Sequence, residues 1–209
     1  LITLFLLIKT IPFFKLKILD NPVKRISHIK PTPTGGGIIF GILGSIASAI
    51  YGFYIPLFSL PLGFVGLIDD KYKVPSLIRY ISQVVTCSFL LYSSNLVTNF
   101  ESSIDLVLVY IFIIFFSTAT VNFCNFIDGI DGLLITCMII VFSTLAINEP
   151  SLWPFISCLL AFAFLNWSPA KIFMGDSGST FLGIVFVGCL MKFDNIILFV
   201  KGLFLITPI

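Results

Sequence analysis

Five aspartates carry the spacing in this sequence that points to chemistry. Asp69 and Asp70 are adjacent, Asp128 and Asp131 are three residues apart, and Asp176 lies among glycines. Clustered carboxylates without matching cations need a counter-charge, and an all-oxygen donor set selects Mg²⁺, with Mn²⁺ as its substitute, over zinc. In Asp128-Gly129-Ile130-Asp131-Gly132 the spacing predicts two acids on one face of a helix, which suits a hard cation. Asp69 and Asp70 would point about 100° apart on a helix, so one is expected to ligate metal while the other faces an acceptor. The glycines around Asp128, Asp131 and Asp176 are expected where backbone approaches a ligand closely.

A second kind of chemistry is suggested by Asn21 to Gly37, NPVKRISHIKPTPTGGG. Lys24, Arg25, His28 and Lys30 precede a rigid Pro-Thr-Pro-Thr run and three glycines, and basic groups beside exposed backbone amides suit phosphate. A membrane-surface anchor would explain Lys24 and Arg25 but not Gly35, Gly36 and Gly37 at a helix start. Gly37 and Gly41 have the small-xxx-small spacing of closely packed helices. The cysteines (Cys87, Cys124, Cys137, Cys158, Cys189) stand singly in apolar runs and read as packing.

These residues must be positioned by elements that are mostly apolar. With 58% hydrophobic and 11% charged residues and a mean hydropathy of +1.12, the chain has too little polar surface to cover a soluble globule. The expected fold is all-α: a polytopic transmembrane helical bundle forming a single domain over residues 1–209. Apolar runs predict about nine spans, near 1–8, 37–50, 55–68, 77–95, 104–124, 133–147, 153–165, 180–191 and 196–209, with the first and last truncated.

The segments between runs are of two kinds. Residues 20–36, 69–76, 125–132 and 166–179 are rich in charge, Asn and Gly, whereas 95–103, 148–151 and 192–195 are short and plain. Two crossings separate each neighbouring pair of rich segments, so all four are expected on one face. That face collects Lys9, Lys15, Lys17, Lys24, Arg25, Lys30, Lys71, Lys73, Arg79 and Lys171 against Lys192 and Lys201 elsewhere, which makes it cytoplasmic by the positive-inside rule. Asn166-Trp167-Ser168 fits a glycosylation pattern but falls on this face and is discounted. Gly37 to Ile68 would span about 48 Å as helix against about 60 Å for two full crossings, so its two helices must be short or the bilayer locally thin. Pro56 suits the turn between them, and Pro61 would kink the second.

Four motifs in order, RISHIKPTPTGGG from Arg25, GLIDD from Gly66, NFCNFIDGIDGLL from Asn122 and NWSPAKIFMGDSGSTFLG from Asn166, resemble the polyprenyl-phosphate N-acetylhexosamine-1-phosphate transferases, with a leaning to the branch that starts O-antigen and related glycans. The resemblance implies a bacterial inner-membrane enzyme with a cytoplasmic active site. Its partners would be undecaprenyl phosphate, a UDP-N-acetylhexosamine and the lipid bilayer, with a homodimer allowed and no nucleic acid. It implies that Asp176 holds Mg²⁺ on the donor pyrophosphate, with Asp70 supporting the metal site and Asp128 and Asp131 holding metal or nucleotide. Asp69 would orient or deprotonate the acceptor. Lys30, His28 and Gly36 would contact phosphate, and Asn125 and Asn166 would donate to the nucleotide or order the loop acids. The family's histidine-rich loop and last helix would follow Ile209, so this stretch alone is expected to be inactive. The acceptor phosphate has a second pKa of about 6, so it needs little general base. The peptidoglycan branch of the same family is the alternative. A transporter or non-catalytic scaffold is the reading from another class, although its acids should sit at mid-span.

Overall fold

Among the described residues, nine α-helices form in the places where apolar runs lie between Gly, Pro and charge clusters. The structure, a computed structural model, describes residues 2–17, 19–20, 31–94, 96, 103–193 and 195–206. Among these, the helices are α1 (Ile2–Lys17), α2 (Gly37–Ile50), α3 (Ile55–Tyr72), α4 (Ser76–Tyr92), α5 (Ser103–Ile127), α6 (Leu133–Leu145), α7 (Trp153–Asn166), α8 (Asp176–Leu190) and α9 (Ile196–Leu203). A two-residue strand β1 (Leu19–Asp20) pairs antiparallel with β2 (Thr32–Pro33). The all-α expectation holds, and that small β-pair is the addition to it.

The first run differs from expectation. Instead of stopping at Ile8, α1 continues through Pro12 to Lys17, which puts Lys9 in mid-helix rather than in a polar segment. Lys9 is exposed and lays its Nζ 5.6 Å from the centre of the Phe5 ring, so one flexible cation on an outer face does not end the helix. In the tight interval α2 has 14 residues and α3 has 18; Pro56, expected in the turn between them, lies instead in the first turn of α3, and Pro61 lies inside that helix.

At the centre stands α8, whose residues Ser177 to Leu190 are all buried. It packs most extensively on α3 and α5, then on α2, α4, α9 and α6. The glycines permit this. A Cβ on Gly37 would run into the Gly178 backbone, and one on Gly66 into the Asp176 carbonyl, so α2 and α3 approach α8 at main-chain distance. Rings of Phe40, Phe155, Phe162 and Phe181 fill the space beyond this seam, with centroids 4.9 Å apart for Phe40–Phe162 and 6.1 Å for Phe155–Phe181.

The outside is apolar as well as the core. Phe126 (85% exposed), Tyr92 (84%) and Phe164 (82%) stand outward with many aliphatic side chains. Large apolar side chains on the outside thus add to those in the core. Among the described residues one helix, over Ile104–Ile127, is long and apolar enough to cross a membrane by itself. The apolar helices α2, α4, α6 and α8 are shorter.

Candidate active site

The site lies at the end of the bundle where the charge-rich segments meet. Gly36 and Gly37 donate their amides to the carbonyls of Phe173 and Met174, and Phe173 donates to Pro33, which ties segment 31–37 to 166–179. The Asp70 carboxylate accepts the Asp176 amide at 2.7 Å and the Ser177 amide at 3.3 Å, which ties 69–76 to the same segment. The Ala170 amide donates to Asp131 at 3.1 Å and the Gly132 amide to Asn166 at 3.2 Å, bringing in 125–132. Stretches up to 107 residues apart in sequence thus form one hydrogen-bonded platform. All five acids lie beyond the ends of the apolar runs that precede or follow them.

Asp69 and Asp70 have different partners, as their angular separation on α3 requires. Asp69 is buried, accepts the Val74 amide and pairs with Arg79 Nη1 at 2.8 Å. Burial alone would raise its pKa, but hydrogen bonds from Asp176 and the Val74 amide and the Arg79 charge hold it below the ordinary carboxylate value. Asp70 turns instead to the first turn of α8, where its charge meets two free amides at the positive end of the helix. Burial, aided by the Asp69 charge, outweighs those bonds and pushes its carboxyl up to about 6. A Cβ on Gly175, which has φ +69°, would occupy the place of the Asp70 carboxylate. The glycines flanking Asp176 permit close contacts within the protein itself, with Gly175 against Asp70 and Gly178 against Gly37.

Asp176 faces both groups. Its Oδ2 is 3.5 Å from Arg79 Nη1, and its carboxyl hydrogen-bonds with that of Asp69. Burial first, then that bond and the charges of Asp70 and Asp69, push it up to about 7 against the opposing pull of Arg79. Asp128 and Asp131 do not share a helix face. They lie in the turn between α5 and α6, where Gly129 and a Gly132 at φ +75° interrupt the helix. Asp128 keeps a partly accessible rim but is enclosed by protein, and burial with the charges of Asp70, Asp176 and Asp131 drives its carboxyl well above the ordinary value.

The remaining candidates separate clearly. Asn125 accepts a hydrogen bond from Ser179 at 2.8 Å and lines the cleft. Asn166 is buried, with its side chain committed to the Gly132 amide and the Ile172 carbonyl, so it orders the acidic loops. Gly36 is buried and its amide is already bonded to Phe173, so phosphate would have to displace that bond. His28 and Lys30 lie outside the described residues. Arg79, read from sequence only as an orienting charge, lines the cleft and pairs with two of the acids, a placement that reading missed. Its signal was there: it follows Asp69 by ten residues across the helix break at Lys73 to Pro75, one short turn that brings α4 back beside the end of α3.

A cleft of about 200 Å³ opens beside these groups, lined by Asp69, Arg79, Asp176, Asn125, the Gln83–Asn122 amide pair and apolar Leu62 and Val65. The donor set fits a hard divalent cation in type: carboxylate oxygens in excess, with Arg79 the one cation paired to them among the described residues. Among the described residues no trio of ligands is already spaced to share an ion.

Known proteins resemble this chain in sequence across the site. The family described as glycosyl transferase family 4 matches residues 52–194, which contain all five acids and Arg79. The phospho-N-acetylmuramoyl-pentapeptide-transferase of Dictyoglomus thermophilum is 33% identical over 203 residues, covering 85% of this chain and 65% of the relative. That of Acetivibrio thermocellus is 31% identical, covering 88% and 67%. A Bacillus subtilis protein described as a probable undecaprenyl-phosphate N-acetylglucosaminyl 1-phosphate transferase is 30% identical, covering 81% of this chain and 53% of its own length. The chain thus spans about two thirds of the first two relatives and about half of the third.

Proposed function

The chain belongs to glycosyl transferase family 4, and from that premise we propose that its protein transfers N-acetylhexosamine 1-phosphate from a UDP-sugar to undecaprenyl phosphate, starting a lipid-linked envelope glycan. An oxygen of the acceptor phosphate bonds to the β-phosphorus of the donor, and the bond from that phosphorus to the bridging oxygen breaks, releasing UMP. The supporting observation is the joining of four distant polar segments into one acidic platform with a cleft, at the rim of a bundle that is apolar inside and out.

This layout suits a reaction between a hydrocarbon-tailed acceptor held in lipid and a water-soluble nucleotide. We place the helices across the bacterial inner membrane with the platform on the cytoplasmic side, where most of the basic residues fall. Asp176 and Asp128 would hold Mg²⁺, with Asp70 in support by fixing the first turn of α8 that carries Asp176. The ion supplies charge neutralisation on the pyrophosphate. Asp69, kept ionised by Arg79 and the Val74 amide, is a weak base and serves to orient. Asn125 lies where it can meet the nucleotide, and Asp131 holds the 166–179 loop through Ala170. Positioning and electrostatics carry the rate.

The relatives include both sugar branches, so the donor is tested directly. Membranes holding the full-length protein are supplied with UDP-N-acetylglucosamine or with UDP-N-acetylmuramoyl-pentapeptide, and UMP and lipid product are measured. Product from the first alone is expected. Product from the second alone assigns the peptidoglycan branch, and none from either removes the enzymatic reading.

A further inference from the structure

Arg79 occupies an unusual place for the first turn of a lipid-adjacent helix. Its Nη1 lies 2.8 Å from Asp69 and 3.5 Å from Asp176, between the two carboxylates. The side chain is 40% exposed and lines the cleft, so it is not locked by packing. Asp69 is held firmly by the Val74 amide and is buried, whereas Asp176 is 30% exposed and keeps the longer contact. The two contacts are therefore unequal: one is a tether and the other a separable pairing.

We propose that Arg79 is a built-in counter-ion that occupies the cation seat at Asp176 until a divalent ion displaces it, while Asp69 keeps the displaced guanidinium at the edge of the cleft. A guanidinium has five N–H donors in a planar fork, and pairing with one oxygen of Asp69 leaves donors that can turn to a phosphate oxygen. Displacement then couples two events. The cation must remove Arg79 from Asp176, and an anion in the cleft gives Arg79 a new partner, so each strengthens the binding of the other by the same factor. This proposal rests on the reading of Asp176 as a divalent-cation residue.

The test reads cation binding without turnover. Mn²⁺ binding to the full-length protein in detergent is followed by electron paramagnetic resonance, with no nucleotide or lipid phosphate present. Arg79→Gln is expected to bind Mn²⁺ about tenfold more tightly than the unaltered protein, the size expected for losing one competing charge from a half-exposed site. Arg79→Lys, which keeps the charge, should remain within about threefold of the unaltered protein. Equal or weaker binding by Arg79→Gln, while Asp176→Asn abolishes binding, overturns the proposal and leaves the cation reading standing. Unchanged binding in Asp176→Asn overturns both. A measurement on the unaltered protein guards against a variant that fails to fold. Mg²⁺ should speed phenylglyoxal labelling of Arg79, read by peptide mass spectrometry, by about threefold as the guanidinium leaves Asp176, and labelling that Mg²⁺ leaves unchanged overturns the proposal.

Discussion

The two ends of the bundle each carry an ion pair, and they use it differently. At the plain end, Lys192 on the α8–α9 connection meets Glu149 on the α6–α7 connection at 2.5 Å and lays its Nζ 4.9 Å from the ring of Phe53 on the α2–α3 turn. One cation answers one acid, both partly exposed, and Lys192 keeps Glu149 below the ordinary carboxylate value despite partial burial. At the platform end, Arg79 faces Asp69 and Asp176 with Asp70 and Asp128 behind them, and three of those four acids are pushed upward. A balanced pair fastens loops. An excess of buried like charge is destabilising by itself and persists where a ligand supplies the missing charge.

The largest effect should come from Asp176→Asn. Transferase activity of the full-length protein is expected to fall at least about 100-fold, the scale seen when a charge-positioning group is removed. The same substitution should raise the thermal stability of the cation-free protein at pH 8, because it removes a strained carboxylate. More than about a tenth of the original rate would make the two ends alike and remove the cation role.

Gly66→Ala comes next, since its methyl group would meet the Asp176 carbonyl and push α3 off α8. A loss of about 1–3 kcal/mol in unfolding free energy is expected from such overpacking, with activity falling as Asp176 moves. Stability without a divalent ion should also depend on pH in a particular direction. Asp70 and Asp176 hold protons to about 6 and about 7 when folded, against an ordinary value of 3.8. The folded state therefore binds more protons than the unfolded one between pH 4 and 7, and stability falls as pH rises through that window. Mg²⁺ should flatten the slope in a melting series, and a cation-free protein that gains stability from pH 5 to 7 would contradict the charge arrangement.

The smallest effect belongs to the plain end. Lys192→Met should change activity less than about threefold and stability by about 1 kcal/mol at most, since the pair is exposed and screened. A large loss of turnover there would break the distinction between the two ends.

Much of this is legible in the amino-acid sequence. The nine helices follow apolar runs bounded by Gly, Pro and charge, and the alternation of rich and plain connections foretold which acids would meet. The extension of α1 to Lys17 was hidden because Lys9, Pro12 and Lys15 look like a break in a local window, while an outer helix face tolerates them. Asp128 and Asp131 were misplaced onto a helix because a three-residue spacing fits a turn as well, and Gly132 decides between them. For the glycines near Asp176, sequence shows the room they leave and not which group fills it. Arg79 was missed because its partner Asp176 is 97 positions away, a contact that exists only after α8 threads between α3 and α5.

Acids from distant parts of the chain meet at one end of the bundle, and compartment-specific labelling tests most directly whether that end faces one side of a membrane. Single cysteines at Lys71, Lys171 and Asn148, all exposed, are introduced into the full-length protein and treated with an impermeant maleimide in right-side-out and inverted vesicles. Lys71→Cys and Lys171→Cys should label only in inverted vesicles and Asn148→Cys only in right-side-out ones. Labelling of Lys71→Cys and Lys171→Cys from opposite sides would contradict the account.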